Sequence, residues 1–260
     1  MSGPHATGDG LDGLYVRGAS PVHRLAPEVK IAATLTFVFA VVATPREAVW
    51  AFAADALLLA VTVVGLAGLP VGVVVRRLRI EVPFLLFAAF MPFTGAHPRV
   101  EVLGVSLSEP GLWAAWNIVV KGTLGVGASI VLAATTPVAD LLRGFDRLHV
   151  PRVITAIAGF MVRYLGIVAG EARRMHVARQ SRGYDPRWLW QARGVAASAG
   201  TLFVRSYERG ERVYLAMVAR GYDGTMPPLD GLRPSVAGWW PAVALPLAAW
   251  TIAAAAWVTA

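Results

Sequence analysis

The chain of 260 residues has no cysteine, which excludes disulfides, iron–sulfur ligation and thiolate metal sites. Charge is scarce, at 15% of residues, and acids are scarcer than bases: 16 Asp and Glu against 24 Lys and Arg, a formal net charge of +8. The five histidines (His5, His23, His97, His149 and His176) are scattered without an i,i+4 pair, so no metal site is expected. Also missing are a Walker lysine motif, a Gly-rich phosphate loop and a nucleophile elbow. Gly122, Gly125 and Gly127 lie in an apolar run, where they suit close helix packing. No catalytic residue is assigned, and the chain is expected to bind no cofactor of its own. Residues 1–20 are polar and Gly-rich, without the apolar stretch of a cleavable signal. The tail 1–24 is expected to be disordered and cytoplasmic.

What the chain does have is apolar sequence, 56% of residues, in runs near the roughly 20 residues a helix needs to span hydrocarbon. Such runs cover 28–44, 47–68, 111–135 and 236–258, with a shorter one at 80–95. Thr44-Pro45-Arg46-Glu47 reads as a tight turn, 69–79 as a basic connector carrying Arg76, Arg77 and Arg79, and 96–110 as an exposed loop. The pattern predicts an all-α integral membrane protein with about five transmembrane helices. Four of these fall in a membrane domain at 25–136 and the last at 235–260.

Between them, 137–234 holds fifteen arginines, and its helices read as amphipathic: 137–149, 152–182 and 187–220. A cytoplasmic N-terminus with five spans puts Arg17, Arg24, Lys30, Arg76, Arg77, Arg79 and this whole block inside, leaving Arg46 and Arg99 outside, as the positive-inside rule requires. A sixth span at 153–170 is the competing reading. It would set Arg163 near mid-bilayer at about 2.5–3.5 kcal/mol, so a helix along the inner face is preferred.

Two segments in this block end alike, Ser181-Arg182-Gly183-Tyr184-Asp185 and Ala219-Arg220-Gly221-Tyr222-Asp223. Arg174 and Arg212 each precede the motif arginine by eight positions, and Ala178 matches Ala216, so the pseudo-repeat has a 38-residue period. A glycine just past the last turn can terminate a helix in the left-handed conformation. The arginine beside it then projects from the end as a planar fork suited to carboxylates. The competing explanation, an arginine complementing the helix dipole, is worth under about 1 kcal/mol, and is the lesser reading for two occurrences with shared flanks.

These residues resemble the transmembrane T component of energy-coupling-factor (ECF) transporters, in its cobalt-type branch. Ala219-Arg220-Gly221 matches the Ala-Arg-Gly motif that ends the coupling helices of that family, and Ser181-Arg182-Gly183 replaces only the alanine. The stretch from Phe203 to Met217 looks like the cobalt-type version. The resemblance implies long cytoplasmic coupling helices and a cytoplasmic (inner) membrane location. The implied partners are two ABC-type ATPase subunits, which use ATP and Mg, and a substrate-binding S component in the membrane. Ser181, Arg182, Gly183, Ala219, Arg220 and Gly221 would then bind the ATPases, and cobalt is the expected substrate, with nickel or a vitamin as alternatives.

Inside the membrane runs, Lys121 suggests either a buried structural ion pair with Asp55 or a hydrogen-bonded lysine that orients the bundle, in preference to a substrate path, since isolated charges there are costly. Glu208 and Glu211 lie among arginines on what reads as a solvated or salt-bridged helix surface. The basic block is expected to touch anionic lipid headgroups. Its apolar face and membrane tether argue against nucleic acid. A membrane-embedded enzyme acting on a phosphorylated lipid, and a scaffold for some other partner, are the rival function classes.

Overall fold

The computed structural model describes residues 12–95, 98–102, 105–184, 192–224 and 240–259. The chain divides into two compact units, 14–144 with 231–260, and 145–230 with 1–13. The division falls after Gly144, inside the first amphipathic helix, rather than at 136.

The first unit is a helical bundle. Its elements are α1 (Pro21–Arg24), α2 (Pro27–Ala43), α3 (Val49–Val61) running into a π-helical turn (Thr62–Leu66), α4 (Val71–Leu78) with a 3-10 turn (Arg79–Glu81), and α5 (Val82–Thr94). A two-stranded hairpin, β1 (Arg99–Val102) and β2 (Val105–Ser108), leads into α6 (Glu109–Thr135) and α7 (Val138–Arg147). The second unit carries α8 (Arg152–Ser181) and α9 (Arg193–Val218); α10 (Trp240–Thr259) returns to the bundle. The helix stretches Val49–Leu66, Glu109–Thr135 and Arg152–Ser181 are long and apolar enough to cross a membrane. Shorter apolar helices are α2, α5 and the 243–259 part of α10.

The bundle is apolar outside and buries charged and small residues beside its apolar core, as expected where lipid is the solvent. Phe39, Leu57, Phe84, Phe87 and Phe90 are exposed, whereas Glu28, Lys30, Asp55 and Glu81 are buried. Its core joins Phe37, Ala40 and Val41 of α2, Phe52 of α3, Leu124 and Ala128 of α6 and Ala249 of α10. Small residues set the helix spacing: a Cβ on Gly111 would lie 2.9 Å from Pro92 Cα of α5, and one on Gly127 2.8 Å from Leu59 of α3. Polar groups stitch the ends. Lys30 Nζ donates to the Thr135 carbonyl at 2.9 Å, and the Trp257 indole donates to the Ala43 carbonyl at 2.9 Å.

Two expectations need correction. The described part of the N-terminal tail is ordered from Leu14 onward and docks on α6: Val16 N–H donates to the Ala134 carbonyl at 2.9 Å, and His23 Nε2 lies 2.9 Å from the Val16 carbonyl. Val16 and Val22 pack against the cluster around Val131, an apolar contact too short to leave a periodic signal. The loop 96–110 contains the antiparallel pairing Arg99↔Ser108 to Val102↔Val105. Its alternation of valine with polar residues is a strand pattern. Residues 1–11, His97, Asp185, the 187–191 start of the third amphipathic helix and 225–239 lie outside the described residues.

Candidate functional site

The two motif segments form the same structure twice. At the end of α8, Tyr184 N–H donates to Arg179 O at 3.0 Å and Gly183 N–H to Gln180 O at 2.9 Å. At the end of α9, Tyr222 N–H donates to Met217 O at 3.0 Å and Gly221 N–H to Val218 O at 2.9 Å. These paired bonds are the Schellman arrangement, which needs a left-handed residue just past the helix. Gly183 and Gly221 supply it with φ of 75° and 86°. Arg182 caps α8, Arg220 stands just past the Ala219 cap of α9, and both arginines are exposed. The Ser181 hydroxyl turns back onto Ala178 O at 3.0 Å, so the small first residue of the motif leaves the tip clear. Ala219 does the same by having nothing to project.

The scaffold between the tips is an antiparallel hairpin. Glu171, buried on α8, accepts from Arg205 Nη1 at 2.8 Å and from Arg209 Nη2 at 3.1 Å on α9. Toward the first tip, Gly194 N–H donates to the Tyr184 hydroxyl at 3.2 Å. A Cβ on Gly194 would sit 2.7 Å from the Tyr184 ring, so glycine is what lets the ring close over the start of α9. In the other direction, Phe160, Met161 and Tyr164 share a groove of about 370 Å³ with Val213, Tyr214 and Met217. Contacts thus advance along α8 as they retreat along α9. Arg182 lies toward the beginning of α9 and Arg220 toward the beginning of α8, about 33 Å apart along the hairpin at 1.5 Å per residue.

Sequence reasoning located the tips but not the clamp. Glu171 and Arg209 are 38 positions apart, the period of the pseudo-repeat, so equivalent positions of the two repeats meet. That coincidence was the available signal. Glu208 and Glu211 make no ion pair among the described residues and stand on the exposed side of α9.

The intramembrane pair does not form. Lys121 Nζ donates to the Val42 carbonyl at 2.8 Å and lies 5.8 Å from the centre of the Phe52 ring. Asp55 is fully buried with neither carboxyl oxygen hydrogen-bonded. The carbonyl at the end of α2 has no helical partner of its own, and so it takes the ammonium group. Among the described residues no three His, Asp or Glu side chains are grouped so as to hold a metal ion.

The cobalt transport protein model, CbiQ, matches residues 18–229. The chain belongs to that family. It is 33% identical to the cobalt transport protein CbiQ of Rhodobacter capsulatus over 124 residues, 47% of this chain and 50% of that protein. It is 26% identical to a putative fused cobalt transport protein, CbiMQ, of Methanocorpusculum labreanum over 128 residues, 49% of this chain and 21% of that protein. Such matches span half or less of those relatives' own lengths. A longer match is to the energy-coupling factor transporter transmembrane protein EcfT of Bacillus selenitireducens, 28% identical over 239 residues, 82% of this chain and 83% of that protein. These family members carry the names of transporter components, and the family model embraces both capped tips.

Proposed function

We propose that this chain is the transmembrane coupling component of an ECF-type importer. It transmits the motion of two ABC-type ATPase subunits to a substrate-binding S component in the same membrane. The observation that carries the reading is the pair of identical Schellman ends, each presenting one exposed arginine. Each tip docks on one ATPase, with Arg182 and Arg220 meeting an acidic group there. A hydrogen bond to a charged partner contributes about 1.5–3 kcal/mol, about 10- to 150-fold in affinity for each tip. ATP and Mg are used by the partners, and hydrolysis is not assigned to this chain. The family name favours cobalt as the substrate, with nickel as the alternative.

The hairpin register supports placing both tips in the cytoplasm of a cell with its N-terminus and the α8–α9 unit on the inner side. The apolar half of α8 lies alongside the segment of α9 that bears Arg205, Glu208, Arg209, Glu211 and Arg212. Standing α8 upright as a span would carry these five charges into hydrocarbon, at about 2.5–3.5 kcal/mol each on the insertion scale. It would also put the two tips on opposite faces of the membrane. Lying along the inner surface of the membrane, the hairpin keeps its charges in water and offers its exposed Val153, Ile157 and Met161 to the bilayer interface.

The test is co-expression of the tagged chain with its ATPase and S-component partners. Arg182→Glu and Arg220→Glu singly reduce recovery of ATPase subunits, and the double variant loses them together with uptake. Because both side chains are exposed, far-ultraviolet dichroism and gel-filtration behaviour stay as in the parent. Stoichiometric recovery and normal uptake by the double variant would overturn the reading.

A further inference from the structure

We infer that the α4 connector is a binding site for an anionic glycerophospholipid of the leaflet it lies in, its phosphate held by Arg77 with Arg76 and Arg79. Three observations meet there. Arg76, Arg77 and Arg79 sit within four positions, and none of them has an acidic partner among the described residues. The nearest acid, Glu81, is turned the other way: both its carboxylate oxygens accept from the Thr123 hydroxyl of α6, at 3.0 and 3.1 Å. Arg77 is half-buried, and its Nη1 is wholly covered without a hydrogen-bond acceptor. A buried guanidinium nitrogen left unpaired is expensive, so this half-exposed side chain gains by turning that nitrogen outward to an oxygen ligand at the surface.

The surroundings say which oxygen ligand. α4 is amphipathic, with Val74 against the bundle while Val71 and Val75 are 56% and 57% exposed. Ile80, one residue past the last of the three arginines, is 72% exposed, and Phe84 and Phe87 continue the exposed apolar surface along α5. A short helix with basic residues on one side and bare aliphatic residues on the other lies in the headgroup region of a bilayer. An unpaired juxtamembrane basic cluster there attracts anionic headgroups. A free phosphate or nucleotide would satisfy the guanidinium groups but leave the valines and Ile80 in water. A phospholipid satisfies both, with the phosphate at Arg77 and acyl chains along the exposed face of α5. Three uncompensated positive charges select a lipid with net negative charge over a zwitterionic one. This site is independent of the docking role of Arg182 and Arg220.

The full chain, reconstituted in nanodiscs of equimolar phosphatidylglycerol and phosphatidylcholine, is released into native mass spectrometry. The wild type is expected to retain phosphatidylglycerol over phosphatidylcholine by about tenfold. The R76Q/R77Q/R79Q variant loses that preference, Arg77→Gln alone lowers it several-fold, and Arg143→Gln, which removes an arginine paired to Asp140, leaves it unchanged. Equal retention of the two lipids by the wild type overturns the inference. So does undiminished preference in Arg77→Gln and the triple variant, or displacement of the lipid by millimolar inorganic phosphate. A loss of preference on neutralising Arg182 and Arg220 instead would place the lipid on the hairpin and equally overturn it. The wild-type lipid ratio and Arg77→Gln decide the matter even if the triple variant does not fold.

Discussion

Replacing Gly183 or Gly221 isolates the contribution of tip geometry from that of arginine charge. Both glycines are left-handed, at φ of 75° and 86°, and no atom lies within 4 Å of where a Cβ would stand on either. An alanine there meets no steric obstacle, so its cost is the backbone's own, about 1–2 kcal/mol. At RT near 0.59 kcal/mol this lowers the ratio of capped to frayed tip about 5- to 30-fold. The first readout is amide exchange at Tyr184 and Tyr222, whose N–H groups close the caps onto Arg179 O and Met217 O; their exchange should quicken by that factor. The second is recovery of ATPase subunits, which falls only as far as the capped fraction falls. The order of substitutions is the sharper test. Asparagine tolerates the left-handed region and should be mildest, alanine intermediate, and valine, a β-branched residue, the most damaging. If asparagine and valine behave alike, or alanine leaves exchange at Tyr222 unchanged, the cap is not what shapes the tip.

Other outcomes follow from single contacts. His149 ends α7 at φ 62° in the same double-bonded turn, with His149 N–H on Asp146 O and Val150 N–H on Phe145 O. His149→Gly should therefore raise the thermal midpoint in detergent, by about 0.5–1 kcal/mol in stability. Glu171→Gln withdraws the shared partner of Arg205 and Arg209; spin labels on V177C and G200C, placed in a chain with no native cysteine, should show a broadened distance distribution, and an unchanged one would remove the clamp. Because neither oxygen of Asp55 is bonded, Asp55→Asn should leave thermal stability unchanged or raise it. Breaking a genuine buried ion pair would instead cost about 3–5 kcal/mol.

Much of the bundle was readable because lipid forces apolar residues into continuous runs. The segments 28–44, 47–68 and 111–135 fall within a few residues of α2, of α3 with its π turn, and of α6. The tips were legible for a different reason: a left-handed helix end has so few solutions that Arg-Gly-Tyr written twice announces the same turn twice. Partner choice was not legible. Lys121 has one nearby acid in the sequence pattern, yet the orphan carbonyl of Val42 lies closer to hand, and backbone acceptors carry no letter code. Glu171 was hidden among the arginines of its block until the fold brought it against the two on α9. The docking of Val16 on Ala134 escaped for want of length, since a few ordered residues cannot display a period.

The Glu171–Arg209 contact joins equivalent points of the two repeats, so the arms running from it to Arg182 and Arg220 are equal, about 16 Å of helix each. With the helices antiparallel, that contact acts as the fulcrum of a balanced beam. A rotation about it lifts one end by as much as it lowers the other, and pushes of equal size and opposite sense at the two ends add as torque rather than cancel.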